Sequence, residues 1–436
     1  MRGCNPGDTA VPFYKTRTRT LLNLGGLLMA LGSLPAMAQT FHYTGSIASV
    51  APQTAISGKL ATRTEIVADR GLAAMLTPGS EEALAGAIAM YEEIVAGGGW
   101  PELPPKKLSK GAKGPHVETL RQRLVAEGYL PFDSLNAEPA DVYDDEIVAA
   151  VKAFQINHGV APTGAVGERT LAELNITAEA RLFTLHENWP RISTYMQNLG
   201  PRYILVNIPS AQLETVEQGR VFSRHNIVAG KLDRPSPTLA STVSDIVFNP
   251  FWIAPASIVE RDILPKYFED PTYLDQMNMR ILDGVDGPEI DPATVDWAMT
   301  APDRYVFRQD PGDNNALATV KINFPNTHMV YMHDTPYREM FGGNARYESS
   351  GCVRIDQVST VVNWILDGQD GFNNTRYELL TASGEPYKMN VQNPPDVRWM
   401  YLTAWATEDG AVNFRPDIYG LDGSGFILGQ PEPRGF

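Results

Sequence analysis

The chain has 436 residues, 43% of them hydrophobic, and a formal net charge of −15 at pH 7. That length calls for more than one domain, since single hydrophobic cores stop growing at about 250–300 residues. The acidic balance excludes sequence-independent binding to nucleic acid, which depends on Lys and Arg neutralising phosphates, and it says nothing of the fold.

In chain order, the first segment reads as an address. Lys15, Arg17 and Arg19 precede the apolar run LLNLGGLLMALGSL at residues 21–34, and Ala36-Met37-Ala38 follows. A basic start, a short apolar run and a small-x-small site describe a secretory signal peptide over residues 1–38, cleaved after Ala38. The run falls short of the roughly twenty residues that span a bilayer; an uncleaved anchor is the alternative. No later stretch is apolar enough to span, so the mature chain, starting at Gln39, is expected in the periplasm without an integral membrane span. The removed segment holds Arg2, Lys15, Arg17 and Arg19 against Asp8, so the mature charge is about −18. The two cysteines are Cys4 and Cys352, and Cys4 leaves with the signal. A lone thiol in an oxidising compartment is a liability unless it is buried or it works. The plain alternative is a small buried hydrophobe.

Residues 39–107 form an N-terminal scaffold segment and linker. Ser80 to Val95 reads as a helix, with Ser80 as N-cap, Glu81 and Glu82 in its first turn and Gly97-Gly98-Gly99 as its stop. WPELPP at 100–105 is a stiff, turn-rich connection. Residues 108–176 make a small three-helix bundle. Val117, Leu120, Leu124 and Val125 space one helix, closed by Gly128. Ile147, Val148, Val151 and Phe154 space a second, stopping near Gly159, and Glu168 to Leu174 gives a third.

Beyond Pro201 the texture turns to strands. Tyr203 to Ile208, Asp245 to Phe248, Val320 to Phe324 and Met329 to His333 read as strands, with Gly219 at a hairpin turn before Val221. This mainly β domain covers 200–385, interrupted from Pro255 to Pro302 by a helical, loop-rich insertion. A C-terminal hairpin around Asp409-Gly410 and a loose tail after Gly420 complete the chain at 386–436. The whole is an α+β multidomain protein.

The chemistry concentrates at His333 and at Ser349-Ser350-Gly351-Cys352-Val353-Arg354. Acyl transfer at a thiol needs an imidazole within reach to generate the thiolate. Gly351 lets the backbone turn tightly before the nucleophile, and main-chain N–H groups around such a turn can receive an oxyanion. Ser349 and Ser350 keep the mouth open and polar. Arg354 holds the turn or binds a substrate carboxylate. Met329, Tyr331 and His333 alternate onto one face, so Tyr331 and His333 line one wall. Trp252 either lines the cleft or packs in the core. Asp334 points away from His333, leaving a backbone carbonyl or Ser349 to orient the ring. His225, His328 and the other histidines lack metal-ligand spacing, so neither metal nor cofactor is expected.

The His…Ser-x-Gly-Cys-x-Arg string resembles the L,D-transpeptidase catalytic domain of the YkuD family. Asp233-Arg234-Pro235, Phe248-Asn249-Pro250-Phe251-Trp252, Arg308 to Leu317, Phe324-Pro325-Asn326, His333-Asp334-Thr335-Pro336 and Phe414 to Tyr419 are similar to its large YcbB/LdtD-like branch. Residues 108–176, with Gly128-Tyr129 and Ala150-Val151-x-x-Phe154-Gln155, resemble the peptidoglycan-binding module of wall enzymes; a helical spacer without ligand is the alternative. The sequence departs from these patterns at Thr163-Gly164, where Asp-Gly is commoner, in a long loop at Pro131 to Asp141, at Ser350 in place of a second His, and at Ala318 in place of Gly. The resemblance implies a wall enzyme whose Cys352 attacks a donor stem peptide, releasing D-alanine, and whose thioester passes to the amine of an acceptor stem as a 3→3 cross-link. His333 is the implied base and proton donor, and 255–310 a cap over the cleft. The implied partners are donor and acceptor stems and other wall-synthesis enzymes, and carbapenems are implied ligands of the thiol. An L,D-carboxypeptidase or endopeptidase on the same pair, or a non-catalytic wall-binding scaffold, are the competing functions.

Overall fold

The computed structural model describes residues 73–343 and 345–432. The signal segment, Cys4, the cleavage site and the scaffold up to residue 72 lie outside the described residues. No helix among the described residues is long and apolar enough to cross a membrane.

Among the described residues, eleven strands form one curled sheet. From one edge the order is Tyr387–Asn390, Asp245–Phe248, Val320–Asn323, Met332–His333, Val353–Ile355, Arg220–Gly230, Gln212–Glu217, Arg202–Asn207, Asp396–Met400 and Leu239–Thr242, with Tyr347–Ser349 added beside Arg220–Gly230. The Arg202–Asn207 strand shows why its sequence runs apolar without alternation. Ile204 and Val206 enter one core with the Val358–Ile365 helix, while Tyr203 and Leu205 enter a second core on the other face. A strand buried on both sides has no solvent face to mark with polar residues. The second core is closed by the helices Ser80–Ala96 and Ala178–Tyr195, so residues N-terminal to the sheet are part of its packing.

Several expectations are corrected. Gly79, not Ser80, precedes the first helix as cap residue, and Ser80 instead accepts from the Thr77 amide. The Ala178–Tyr195 helix, capped by Thr177, was not expected; Pro190 in its interior hides it from pattern reading. Tyr387–Asn390 and Asp396–Met400 join the large sheet rather than the terminal hairpin, which is Ala404–Ala406 with Val412–Phe414. The tail is packed at least to Gly429: Arg191 pairs with Asp422 at 2.6 Å, and Tyr195 donates to the Ile427 carbonyl at 2.8 Å. The insertion is not simply helical. It begins with Trp252–Ile253, which joins Met279–Leu282 and Val306–Gln309 in a three-stranded sheet around its own core of Val259, Ile263, Leu274, Ile281 and Phe307.

The small bundle consists of Pro115–Ala126, Asp145–Asn157 and Glu168–Leu174. Asp144 caps its second helix by accepting from the Ile147 amide at 2.9 Å. Buried Gln155 donates to the Ala165 carbonyl at 2.8 Å and accepts from the Gly164 amide at 2.8 Å, which fixes the Thr163-Gly164 turn. The bundle is joined to the rest by a buried polar knot. Glu127 pairs with Arg123 at 2.8 Å and accepts from Tyr91; Arg123 stacks over Trp100, and the His158 ring stacks on Phe414.

Candidate active site

Three short strands decide where the chemical groups go. In Val320–Asn323, Val320 and Ile322 are fully buried, which turns Lys321 to the opposite face. Pairing sets Ile322 beside Met332 and Lys321 beside His333. On the other side Met332 aligns with Val353 and His333 with Arg354, in parallel. The Val353 amide donates to the Tyr331 carbonyl at 3.1 Å, which brings Tyr331 alongside Cys352. Because successive side chains alternate, Lys321, His333, Arg354, Tyr331 and Cys352 share one face, with Ile322, Met332 and Val353 in the core beneath. Met329 does not join them. Its φ of 55° ends the alternation and leaves it exposed, so the strand is Met332–His333 alone.

Direct contacts tie the group together. The Tyr331 and His333 rings meet edge to face at 5.6 Å, and Lys321 Nζ lies 4.2 Å from the Tyr331 ring centre. Tyr331 and Cys352 act on each other electrostatically, and Trp252 acts on Tyr331 as well, which puts Trp252 at the cleft. His333 Nδ1 lies 2.5 Å from the Asp334 carbonyl oxygen. A carbonyl only accepts, so Nδ1 carries the proton and Nε2 keeps its lone pair. A backbone carbonyl therefore orients the ring, not Ser349. The Asp334 carboxylate is engaged elsewhere, accepting from Thr319 at 2.6 Å and pairing with Arg338 at 2.7 Å.

Burial, then the charges of Arg354 and Lys321, hold His333 down at about 3. Burial raises the Cys352 thiol to about 11, against the pull of Tyr331, Lys321 and Arg354. The resting pair at neutral pH is thus a thiol and a neutral imidazole. Gly351 has φ 105°, while the nearest atoms to a hypothetical Cβ are 3.6 Å away. The dihedral rather than crowding demands glycine there. Ser349 Oγ donates to the Cys352 carbonyl at 2.5 Å and accepts from the Gly351 amide at 3.2 Å, clamping the turn. The Gly351 N–H is therefore not free for an oxyanion.

Residues 201–373 match the family model described as the L,D-transpeptidase catalytic domain (YkuD), and residues 113–174 match one described as "Putative peptidoglycan binding domain". Residues 201–373 are a YkuD-family L,D-transpeptidase catalytic domain. A curated protein of Haemophilus influenzae named "Putative L,D-transpeptidase" is 36% identical over 220 residues, which is 50% of this chain and 44% of that protein. The chain thus matches less than half the length of that relative. Solved L,D-transpeptidases from Xylanimonas cellulosilytica and Stackebrandtia nassauensis are 16% and 14% identical. The first covers 69% of this chain and 98% of its own with a TM-score of 0.20, the second 67% and 94% with 0.25. At that likeness no residue role carries over.

Around Cys352 of the transpeptidase domain, sequence reading missed several supports. Ser236 Oγ donates to the Gly351 carbonyl at 2.8 Å, and the Ser236 amide donates to Tyr419 Oη at 3.1 Å. Arg234 donates to Ser350 Oγ at 3.0 Å and pairs with Asp262 of the insertion, which ties the insertion to the residue two before Cys352. Asp233-Arg234-Pro235 and Tyr419 lie in the family-like motifs, but nothing in their residue types points to this role. Lys321 was legible only as one polar residue in an apolar strand. Arg354 is held through Met340 Sδ at 2.8 Å, while its buried Nε has no hydrogen-bond acceptor. Asn249 braces a loop, donating to the Leu380 and Glu385 carbonyls at 2.8 and 3.1 Å. His225 has both ring nitrogens occupied, by the Asp356 carbonyl and Ser223 Oγ.

Proposed function

We propose that this chain forms 3→3 peptidoglycan cross-links through a Cys352 thioester, acting in the periplasm after cleavage at Ala38. The observation that carries this reading is the strand register, which sets Cys352 beside Tyr331 and diagonal to a His333 whose Nε2 lone pair is free.

In the proposed cycle, His333 Nε2 takes the Cys352 proton as sulfur bonds to the carbonyl carbon of the third stem residue. The Cys352 N–H is the donor the clamped turn can offer to the oxyanion. The C–N bond to D-alanine breaks, and the imidazolium returns the proton to the departing amine. An acceptor side-chain amine then attacks the thioester and loses its proton to His333. The amide forms, and the thiol is regenerated with that proton. Tyr331, held by Trp252, steadies the sulfur, and Arg354 supplies positive charge as it becomes anionic. The bundle at 108–176 serves to hold wall polymer.

Incubating the mature protein with disaccharide-tetrapeptides and weighing the products tests this. A dimer lighter by one D-alanine supports it. A tripeptide product marks an L,D-carboxypeptidase, and unchanged substrate marks a scaffold. Intact mass of the exported protein, starting at Gln39 or not, decides cleavage.

A further inference from the structure

Lys321 and Arg354 flank His333 on one sheet face, and neither is matched by an acid in its own row. Among the described residues no carboxylate lies within ion-pair distance of Lys321. Asp245, the acid that acts on it at longer range, is engaged by Asn323 at 2.7 Å and Lys388 at 3.7 Å. An ammonium half-buried without a counter-charge is costly to keep. Behind burial and Arg354, it also adds to lowering His333.

The order of the strands says which anion would supply that counter-charge. Cys352 directly precedes Val353–Ile355, and that strand, Met332–His333 and Val320–Asn323 are consecutive in the sheet, each about 4.8 Å from the next. In a donor stem the scissile carbonyl carbon, the leaving nitrogen and the terminal carboxylate follow one another along the D-alanine residue. With the carbonyl at Cys352 and the leaving nitrogen at His333 Nε2, the carboxylate falls on the far side of His333 from Arg354. That is the side of Lys321, whose ammonium is set above the Tyr331 ring.

We propose that Lys321 is a substrate-binding residue that takes the terminal carboxylate of the donor stem. The assignment rests on the transpeptidase reading and adds the group that distinguishes a free C-terminus from an amide. It also gives the bound substrate a part in activation, because a carboxylate at Lys321 cancels one of the two charges that hold His333 unprotonated.

The test uses the full mature chain carrying Cys352→Ala, so that binding is read without turnover. Calorimetry compares a disaccharide-tetrapeptide ending in a free carboxylate with the same compound ending in a carboxamide. The acid is expected to bind at least about tenfold more tightly, as a charge-assisted contact requires. Lys321→Met should bring that ratio close to one, and Lys321→Arg should keep most of it. A purely structural lysine, stacked on Tyr331, would weaken both compounds alike. A ratio that survives Lys321→Met, a wild-type ratio near one, or no binding of either compound overturns the assignment. If the acid is preferred through Lys321 but the active protein releases no D-alanine from it, the transpeptidase reading falls while the carboxylate site stands.

Discussion

At the junction of the small bundle, Glu127, Arg123, His158 and Tyr91 are all buried, and every charge meets an opposite one inside the protein. At Cys352, Lys321 and Arg354 face the thiol with no carboxylate in their row. Both clusters remove charge from water, at a cost of several kcal/mol per ion before compensation. The first is compensated by the chain itself and so contributes to holding the parts together. The second is left for something that comes and goes. On the proposed reading, the closed network serves structure and the open one serves binding.

The most damaging way to test that contrast is to remove the chemistry. Cys352→Ser should abolish the adduct with a carbapenem, because a serine hydroxyl is far less ionised than a thiol. His333→Gln should slow adduct formation by about 10²–10⁴-fold. With Cys4 removed the protein has one thiol, so whole-chain mass spectrometry reads this site alone. An adduct on the Cys352→Ser chain would overturn the assignment of the nucleophile.

Glu127→Ala should instead cost stability, by about 3–5 kcal/mol, since it strands Arg123 in the interior. Thermal melting should fall by several degrees while the alkylation rate of Cys352 stays as in the wild type. A slowed thiol would mean that the two clusters are coupled rather than separate.

Acid should weaken the closed network as well as the open one. Burial lowers His158 below its ordinary 6.5, and Glu127 only partly offsets this. Burial alone would raise Glu127, but Arg123, His158 and Arg181 outweigh it and hold the carboxyl far below its ordinary 4.5. Each group binds a proton more readily in the unfolded chain than in the folded one, so stability falls with pH. The decline should begin near pH 6.5, as unfolded His158 takes its proton, and steepen below about 4.5. His333, held near 3, adds loss of the same sign. A melting temperature that stays flat between pH 7 and 4.5 would contradict this account.

Smaller effects sharpen the open side. Arg234→Ala releases the insertion from Ser350 and should raise KM by about three- to tenfold with little change in kcat, the scale of a part-exposed pair. Steady-state kinetics on a tetrapeptide donor separates the two constants. Ala318 adopts φ 45°, a left-handed conformation that costs an L-residue roughly 1–2 kcal/mol. Ala318→Gly should therefore stabilise by up to about 1 kcal/mol, part of the gain being lost to the freer unfolded chain, and calorimetric melting would show it.

Local pattern made much of this chain legible. The bundle helices follow from apolar spacing, and Asp245–Phe248 from its length and β-branched content. Cys352, Gly351 and His333 stand out because thiol acyl transfer needs those residue types, and Gly351 alone in that string tolerates φ 105°. Other features needed partners to be seen. Trp252 reads equally well as core or cleft until Tyr331 is set against it. The Met329 to His333 run alternates on paper, yet only its end pairs, because a left-handed turn at Met329 costs no visible pattern. The last strands of the sheet sit far from it in sequence and lack a period that would assign them to it.

By itself, then, the sequence determined the small bundle and the strand-rich domain with its insertion, and it marked Cys352 and His333 as the candidate nucleophile and base. These depend on residue type and short-range periodicity, which act over a few positions of chain. The tertiary structure decided that a carbonyl orients His333, that Arg234 links the insertion to Ser350, and that Lys321 stands in the row of His333 and Arg354. Those relations are set by strand register, and a shift of one residue would send every one of these side chains to the opposite face. Register is fixed by the packing of Ile322, Met332 and Val353 in a shared core, a sum of long-range contacts that no single stretch of the chain contains.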